Sequence, residues 1–315
     1  MIWLTWRQHR HQALGGALTL ALLGAFLVLT GRQMTTSYHN SGLAACLANG
    51  AQHDCSDLAS AFEGRFSALR ALGGYLVILP GLAGLFWGAP LVARELEHHT
   101  HRLVWTQTIT RRRWISVKLA LLLAGTVLVA VPLAWLTTRW LGPLNHSTGT
   151  RFSPGIFDLQ GIVPVAYTLF ALALGVAAGT ILGRTLPAMA ATLVGFVAAR
   201  LGIAAQARAH YQPPLTASTP GIHLGGQQGS SDWLLNAVAV DHAGHHLSLQ
   251  AIQARCPQLG GAAAQCLRAL DPHTLTTYQP ASRFWLFQGI EAALFTALAA
   301  ALLGLTIWWV RHRLA

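Results

Sequence analysis

Six long apolar stretches constrain this chain more than any other feature of its sequence. A helix that crosses a bilayer needs about 20 mostly apolar residues, and an open strand cannot satisfy its backbone in hydrocarbon. The stretches that meet this requirement are His11–Gly31, Leu72–Ala93, Leu119–Trp140, Gly161–Gly183, Leu186–Ala205 and Phe284–Val310. We therefore predict an all-α integral membrane protein with six transmembrane helices, in which residues 1–315 form a single transmembrane domain.

The composition supports a membrane protein and excludes a soluble enzyme. Of the 315 residues, 53% are hydrophobic and 10% are charged, whereas roughly 25% are charged in an ordinary soluble domain. The formal net charge of +11 is typical of membrane chains whose cytoplasmic loops meet anionic lipid headgroups. We therefore expect contacts with membrane lipids and no nucleic-acid partner.

The chain lacks the common catalytic motifs. Its one lysine, Lys118, does not lie in a G-x-x-x-x-G-K-[ST] sequence, so the chain has no P-loop. It also contains no H-E-x-x-H and no G-x-S-x-G sequence. We predict no catalytic residue and no cofactor in this chain.

The distribution of basic residues predicts the orientation, because arginine and lysine concentrate in short cytoplasmic loops. With the N-terminus inside, the inside segments are 1–10, 94–118, the turn at Arg184 and 311–315, and the large outside loops are 32–71 and 206–283. The inside segments carry the higher density of basic residues. We predict that both termini are cytoplasmic and that the two large loops are extracellular.

The four cysteines lie in the two large loops. Cys46 and Cys55 are in the first, and Cys256 and Cys266 are in the last. Disulfides persist on the oxidising side of a membrane, so this placement agrees with the orientation. We expect pairing within each loop, with buried free thiols as the alternative.

The last loop also contains histidines and two apolar segments. We expect short helices at Asp232–Val240 and Leu247–Ala254. His242, His245 and His246 follow Asp241 closely, but the spacing fixes no fourth metal ligand. These histidines are weak metal candidates, and we predict a solvated polar loop without a metal site.

The loop between the second and third spans carries a recognisable pattern. It contains an acidic residue (Glu95 or Glu97), then Thr100, Leu103, the pair Thr110-Arg111, and Lys118 at the start of the next helix. This pattern resembles the type-2 ABC exporter permeases, which are the membrane subunits of ATP-driven exporters. His99 departs from it, because the family usually has glycine there. The opening Trp3–Arg10 is similar to small permeases of this type from GC-rich bacteria.

The resemblance implies a bacterial plasma-membrane permease whose loop 94–118 couples it to a separate P-loop ATPase subunit. The implied coupling residues are Glu95, Glu97, Thr100, Arg102, Leu103 and Trp105. The ATPase partner would bind ATP and Mg²⁺, and two permease copies, as a homodimer, would form the substrate pathway. The alternative for this loop is a basic anchor whose charges are solvated.

Two charges lie inside predicted spans, where they are costly and suggest function. Arg200 in the fifth span and Glu291 in the sixth lie at similar depths from the outer ends. We predict an ion pair between them that latches the two helices near an outer gate. The alternative is that Arg200 reaches the outer headgroups while Glu291 faces the loop.

Two other functions are compatible with these features. One is a non-transporting sensor or immunity protein whose outside loops bind a ligand and which needs no ATPase. The other is a membrane-embedded, metal-dependent enzyme that uses the outside histidines.

Overall fold

The protein is built on six membrane-length helical segments. The computed structural model describes residues 2–48, 55–98, 111–149, 151–222, 231–256, 266 and 269–313. Within them, the segments long and apolar enough to cross a membrane are Gly15–Asn40, Ser56–Glu97, Arg113–Ser147, Val163–Leu182, Thr185–His210 and Ala281–His312. The prediction of six spans is confirmed, and the orientation of the termini stays a prediction.

The helical elements are as follows in chain order. The first half contains α1 (Ile2–Asn40), α2 (Leu43–Ala48), α3 (Ser56–Leu76), α4 (Leu79–Ala83), a π-helical turn (Gly84–Gly88) and α5 (Ala89–Glu97). The middle contains α6 (Arg111–Thr148), α7 (Pro154–Phe157), α8 (Val163–Leu182) and α9 (Thr185–Gly202), which continues as a π-helical turn (Ile203–Ala207) and a 3₁₀ turn (Arg208–His210). The last part contains α10 (Leu249–Arg255), a 3₁₀ turn (Ala281–Arg283) and α11 (Phe284–His312).

Several helices are longer than a bilayer requires. The helix α1 has 39 residues and α6 has 38. At about 1.5 Å per residue each is nearly 60 Å long, about twice the thickness of the hydrocarbon. The helices α1 and α3 therefore fill most of the region 32–71 that the sequence suggests is a loop.

The second segment is interrupted in its middle. The helix α3 ends at Leu76, and α4 begins at Leu79 with Pro80 in its first turn. Proline lacks the N–H that would continue an α-helix, so it starts a new helix here. The π-helical turn follows α4 directly.

The last loop contains a sheet, so the all-α prediction is wrong there. Three antiparallel strands, β1 (Leu215–Pro220), β2 (Trp233–Val240) and β3 (His273–Gln279), lie in the order β1-β3-β2. The expected helix Asp232–Val240 is the strand β2, whose pairing with the distant β3 overrides its local apolar pattern. The second expected helix is present as α10, and Ser248 caps its start by accepting a hydrogen bond from the Ala251 N–H at 3.1 Å.

Glycines allow α8 to approach the second segment closely. A Cβ atom at Gly175 would collide with the Gly84 carbonyl oxygen, and one at Gly88 would lie 2.7 Å from the Leu172 carbonyl oxygen. Gly179 meets the Ala89 carbonyl oxygen in the same way. These glycines therefore serve helix contacts within the chain, as small residues do between membrane helices.

Both disulfides form as predicted. Cys46 bonds to Cys55, with Cα atoms 6.1 Å apart, and Cys256 bonds to Cys266, with Cα atoms 5.8 Å apart. The first disulfide joins α2 to the start of α3. The second joins the end of α10 to the segment that precedes β3.

Candidate functional site

A buried network of charged side chains lies where α8 and α11 begin and where the fifth segment ends, next to the sheet. Its most buried members are Asp158 (1% exposed), Arg208 (1%) and Glu291 (0%). Arg200 joins them with its side chain 17% exposed. The two positive and two negative charges balance, so the network is neutral as a unit.

Arg208 is the centre of this network. Its Nε donates to Glu291 Oε2 at 2.8 Å, and its Nη2 donates to Glu291 Oε1 at 2.6 Å. The same Nη2 lies 2.5 Å from Asp158 Oδ1. A forked pair of hydrogen bonds between a guanidinium and a carboxylate is the strongest geometry for such groups. Arg208 therefore ties the end of α9 both to α11 and to the connector before α8.

The structure corrects the predicted ion pair between Arg200 and Glu291. Both Nε and Nη2 of Arg200 donate to Asp158 Oδ2, the former at 2.9 Å. Glu291 receives Arg208 instead. Among the described residues, the two predicted partners do not bind each other directly, because Asp158 and Arg208 lie between them.

Aromatic side chains complete the network. The Tyr167 hydroxyl donates to Glu291 Oε1 and lies 3.2 Å from Asp158 Oδ1. The Tyr211 hydroxyl donates to Glu291 Oε2 at 3.3 Å. Burial raises the pKa of the Tyr211 hydroxyl, and the neighbouring Glu291 carboxylate raises this pKa further. The hydroxyl therefore stays protonated and serves as a donor.

The π-helical turn of the fifth segment places both arginines on one face. In a regular α-helix, residues eight apart point about 80° away from each other. A π turn accommodates one extra residue, so the step from Arg200 to Arg208 acts like a step of seven, and such residues share a face. Both guanidinium groups consequently reach Asp158.

The connector that carries Asp158 is held by buried amide and hydroxyl groups. The Gln288 side chain accepts from the Val163 N–H at 3.1 Å and donates to the Phe157 carbonyl oxygen at 3.0 Å. The Thr137 hydroxyl donates to the Leu159 carbonyl oxygen at 2.7 Å. The position of Asp158 is thus fixed from α6 and α11 together.

The sequence interpretation missed most of this network. Asp158 lies between the predicted spans that end at Trp140 and begin at Gly161, and Arg208 follows the span that ends at Ala205, so the sequence predicts loops at both positions. Helical structure in fact continues to His210. The available signal was an isolated acidic residue and an isolated arginine beside apolar stretches in a chain with few charges.

At the opposite end of the helices lie the helix ends that flank the predicted coupling loop, which we call the roots of the loop. Glu95 forms an ion pair with Lys118, which lies about two turns into α6 because that helix begins at Arg111. Glu97 accepts from the Thr185 N–H at 3.1 Å and from its hydroxyl at 2.7 Å, at the start of α9. Thr100, Arg102, Leu103 and Trp105, the other predicted coupling residues, lie outside the described residues.

The Asp241 carboxylate organises the turn after β2. It accepts from Arg255 Nη1 at 2.8 Å and from the backbone N–H groups of His245 (2.9 Å) and Ala243 (3.0 Å). The Arg255 guanidinium and these N–H groups hold the pKa of Asp241 well below its ordinary value. Across the described ranges, no group of three or more His, Cys, Asp or Glu side chains is placed to hold a metal ion; His242, His245 and His246 are exposed.

The fold and these two sites define a class of protein. The protein has six membrane-length segments, a buried ion network at one end and a charged loop root at the other. Such a chain is a multi-pass membrane protein.

Comparison with known proteins gives the family. Residues 17–208, well over half of the chain, match the family described as ABC-2 membrane transporter related. The chain belongs to this family, so it is a membrane component of a transport system. The matched region covers nearly all of the first five segments and ends at Arg208, so the sheet and α11 lie beyond it. No curated protein and no solved structure matches the chain.

Proposed function

We propose that this chain is the permease subunit of an ATP-driven exporter of the bacterial plasma membrane, coupled through residues 94–118 to separate ATPase subunits. The observation that carries this proposal is the anchoring of the loop to three spans. Glu95 ties its first root to α6, and Glu97 ties it to α9. A force on the loop would therefore move the second, third and fifth segments together.

The contacts of Glu97 also have an electrostatic reason. The N-terminus of a helix carries a partial positive charge and unpaired N–H groups, which favour a carboxylate. Glu97 supplies that carboxylate to α9. In our proposal, Glu95 and Glu97 transmit force within the permease, while Thr100, Arg102, Leu103 and Trp105 contact the ATPase.

The remaining parts of the proposal follow from the sequence and the family. The absence of a P-loop around Lys118 assigns ATP and Mg²⁺ to the partner. Six helices rarely enclose a pathway alone, so we propose a homodimer in which each permease binds one ATPase subunit. Cytoplasmic termini would place the loop 94–118 on the side where ATP is available.

The test is purification in a mild detergent from native membranes, followed by mass spectrometry of the proteins that co-elute. We expect a P-loop ATPase at about one copy per permease. Because aromatic and arginine side chains dominate the binding energy of such interfaces, Trp105→Ala should remove the ATPase. Trp135→Ala is the matched control, since Trp135 is exposed on α6 and is not in the loop.

Two outcomes would contradict the proposal. Recovery of the permease without any ATPase, in a detergent that keeps known ABC complexes intact, would favour a sensor or immunity protein. Equal loss of the ATPase in Trp105→Ala and Trp135→Ala would show that the loop is not the docking element.

Metal analysis of the same preparation would test the alternative function of a metal-dependent enzyme.

A further inference from the structure

The surroundings of the Arg208 guanidinium are those of a binding site for a planar cation. Both carboxylate oxygens of Glu291 accept from one edge of the group, at 2.8 and 2.6 Å. The Phe157 ring lies against its face, with 4.2 Å from Cζ to the ring centroid. A carboxylate fork and an aromatic face are the two elements by which proteins recognise guanidinium groups.

The charges of the site fit one monovalent cation. Among the residues that the structure describes, the negative charges of Asp158 and Glu291 would without Arg208 face only the positive charge of Arg200, and one negative charge would remain. The Tyr167 hydroxyl adds an acceptor 3.2 Å from Arg208 Nη2. A single guanidinium or amidinium group would restore neutrality.

Arg208 and the two carboxylates lie in segments with different backbone conformations. Glu291 lies in the regular helix α11, and Asp158 lies in the connector that Gln288 and Thr137 hold. Arg208 follows a π-helical turn and begins a 3₁₀ turn. A change of residues 203–207 from π to α register would rotate Arg208 by about 100° and withdraw it without displacing either carboxylate.

Aromatic side chains line the site around the Arg208 guanidinium. Phe157 lies 5.6 Å from Phe284, and Tyr167 lies 4.6 Å from Phe295, between ring centroids. Within the described part of the chain, Nη1 of Arg208 is buried without a hydrogen-bond partner. The two N–H donors on Nη1 are therefore unmatched, so the fit of the site to Arg208 is incomplete.

We propose that Asp158, Tyr167, Glu291 and Phe157 form a cation-binding cage that Arg208 occupies in this conformation, and that the guanidinium or amidinium group of an amphipathic cargo takes its place. This inference rests on the proposed transport function. Arg208 then acts as a tethered occupant that keeps the site closed between cargo molecules.

The test uses the purified chain with Arg208→Ala and two probes of the same shape. Methylguanidinium is the cation, and N-methylurea is its neutral analogue. We expect methylguanidinium to raise the melting temperature of Arg208→Ala saturably, while N-methylurea does not. Adding Glu291→Gln to that variant should abolish the shift.

The wild-type protein supplies the comparison. Because its own Arg208 competes, it should need at least about tenfold more methylguanidinium for the same occupancy. Equal responses of wild type and Arg208→Ala, a shift that survives Glu291→Gln, or no shift at all would overturn the proposal.

A second variant and a second measurement guard against misfolding. Arg208→Gln keeps a long polar side chain without the charge and should respond like Arg208→Ala. In the wild-type protein, methylguanidinium should increase hydrogen exchange in residues 203–213, whereas N-methylurea should not. Unchanged exchange at a saturating concentration of methylguanidinium would also overturn the proposal. Neither readout needs an ATPase, so failure of the cage and failure of the proposed function are distinguishable.

Discussion

At the scale of single residues, the buried charges are mutually dependent. Glu291 accepts from Arg208, Tyr167 and Tyr211 at once. Taking a charge out of water costs several kcal/mol, and only its partners offset that cost. Removal of one member therefore leaves the others buried and uncompensated.

We expect Glu291→Gln to destabilise the protein strongly. The loss of a buried ion-pair partner costs about 3–5 kcal/mol, so the unfolding transition in detergent should shift markedly. The control is Glu63→Gln, whose ion pair with Arg70 is long (3.4 Å) and more than one third exposed and is worth about 0–1 kcal/mol. Similar shifts in the two variants would contradict the importance of the network.

The contacts of the Asp241 carboxylate predict that the stability of the turn after β2 depends on pH. The Arg255 guanidinium and two backbone N–H groups lower the pKa of Asp241 below its ordinary value of 3.8. A carboxylate with a lowered pKa contributes stability above its unfolded pKa, and this stability is lost as the pH falls through the folded pKa. Hydrogen exchange of residues 231–256 should therefore stay protected from neutral pH down to the ordinary pKa of Asp and increase below it.

Asp241→Asn is the matched variant for that measurement. It should weaken protection already at neutral pH and remove most of the acid-dependent change in residues 231–256. Protection in the variant that equals the wild type at neutral pH would show that the carboxylate does not organise this turn.

At the scale of elements, the π-helical turns adjust helix faces. The turn Gly84–Gly88 presents glycines to α8, where the two backbones touch. The turn Ile203–Ala207 brings Arg208 to the face of Arg200. In both cases one extra residue changes which side chains meet a neighbouring helix.

The number of residues in the π-helical turn Ile203–Ala207 sets the direction of Arg208 in the fifth segment. Deletion of Ala205 should convert the π turn to an α turn and keep both arginines on one face, so the melting temperature should change little. Insertion of one alanine after Ala205 should rotate Arg208 by about 100° and destabilise the protein as much as Arg208→Ala. A deletion as harmful as the insertion would refute this account of the turn.

At the scale of the whole molecule, we expect Lys118 and Trp140 on α6 to lie near the two surfaces of the membrane. The stretch of α6 from Lys118 to Trp140 covers about 33 Å at 1.5 Å per residue, close to the ~30 Å of a hydrocarbon core. Gly31 on α1 and Gly73 on α3 both pack against Trp140. We therefore expect the residues beyond that level, including most of α3, to form a lobe outside the bilayer.

Cysteine labelling tests the orientation of this lobe. All four native cysteines are in disulfides, so an introduced thiol is the only target. We expect a membrane-impermeant maleimide to label Ser67→Cys in intact cells and Arg313→Cys only after permeabilisation. The reverse pattern would place the lobe and the loop 94–118 on the opposite sides from those proposed.

The sequence alone determined the features that depend on local composition or short separation. The six spans follow from runs of apolar residues, and each disulfide joins cysteines only 9 or 10 residues apart. Gly175, Gly179 and Gly183 recur every four residues, so their common face on α8 also follows from local spacing.

Which groups meet over long separations depends on the packing of the whole fold. Glu291 binds Arg208 from 83 positions away and Tyr167 from 124, and β2 becomes a strand because β3 pairs with it. The sequence correctly marked Arg200 and Glu291 as costly charges but assigned them to each other. Their true partners depend on how the ends of α9 and α11 pack around the connector, and a shift of one residue in the π turn changes that outcome.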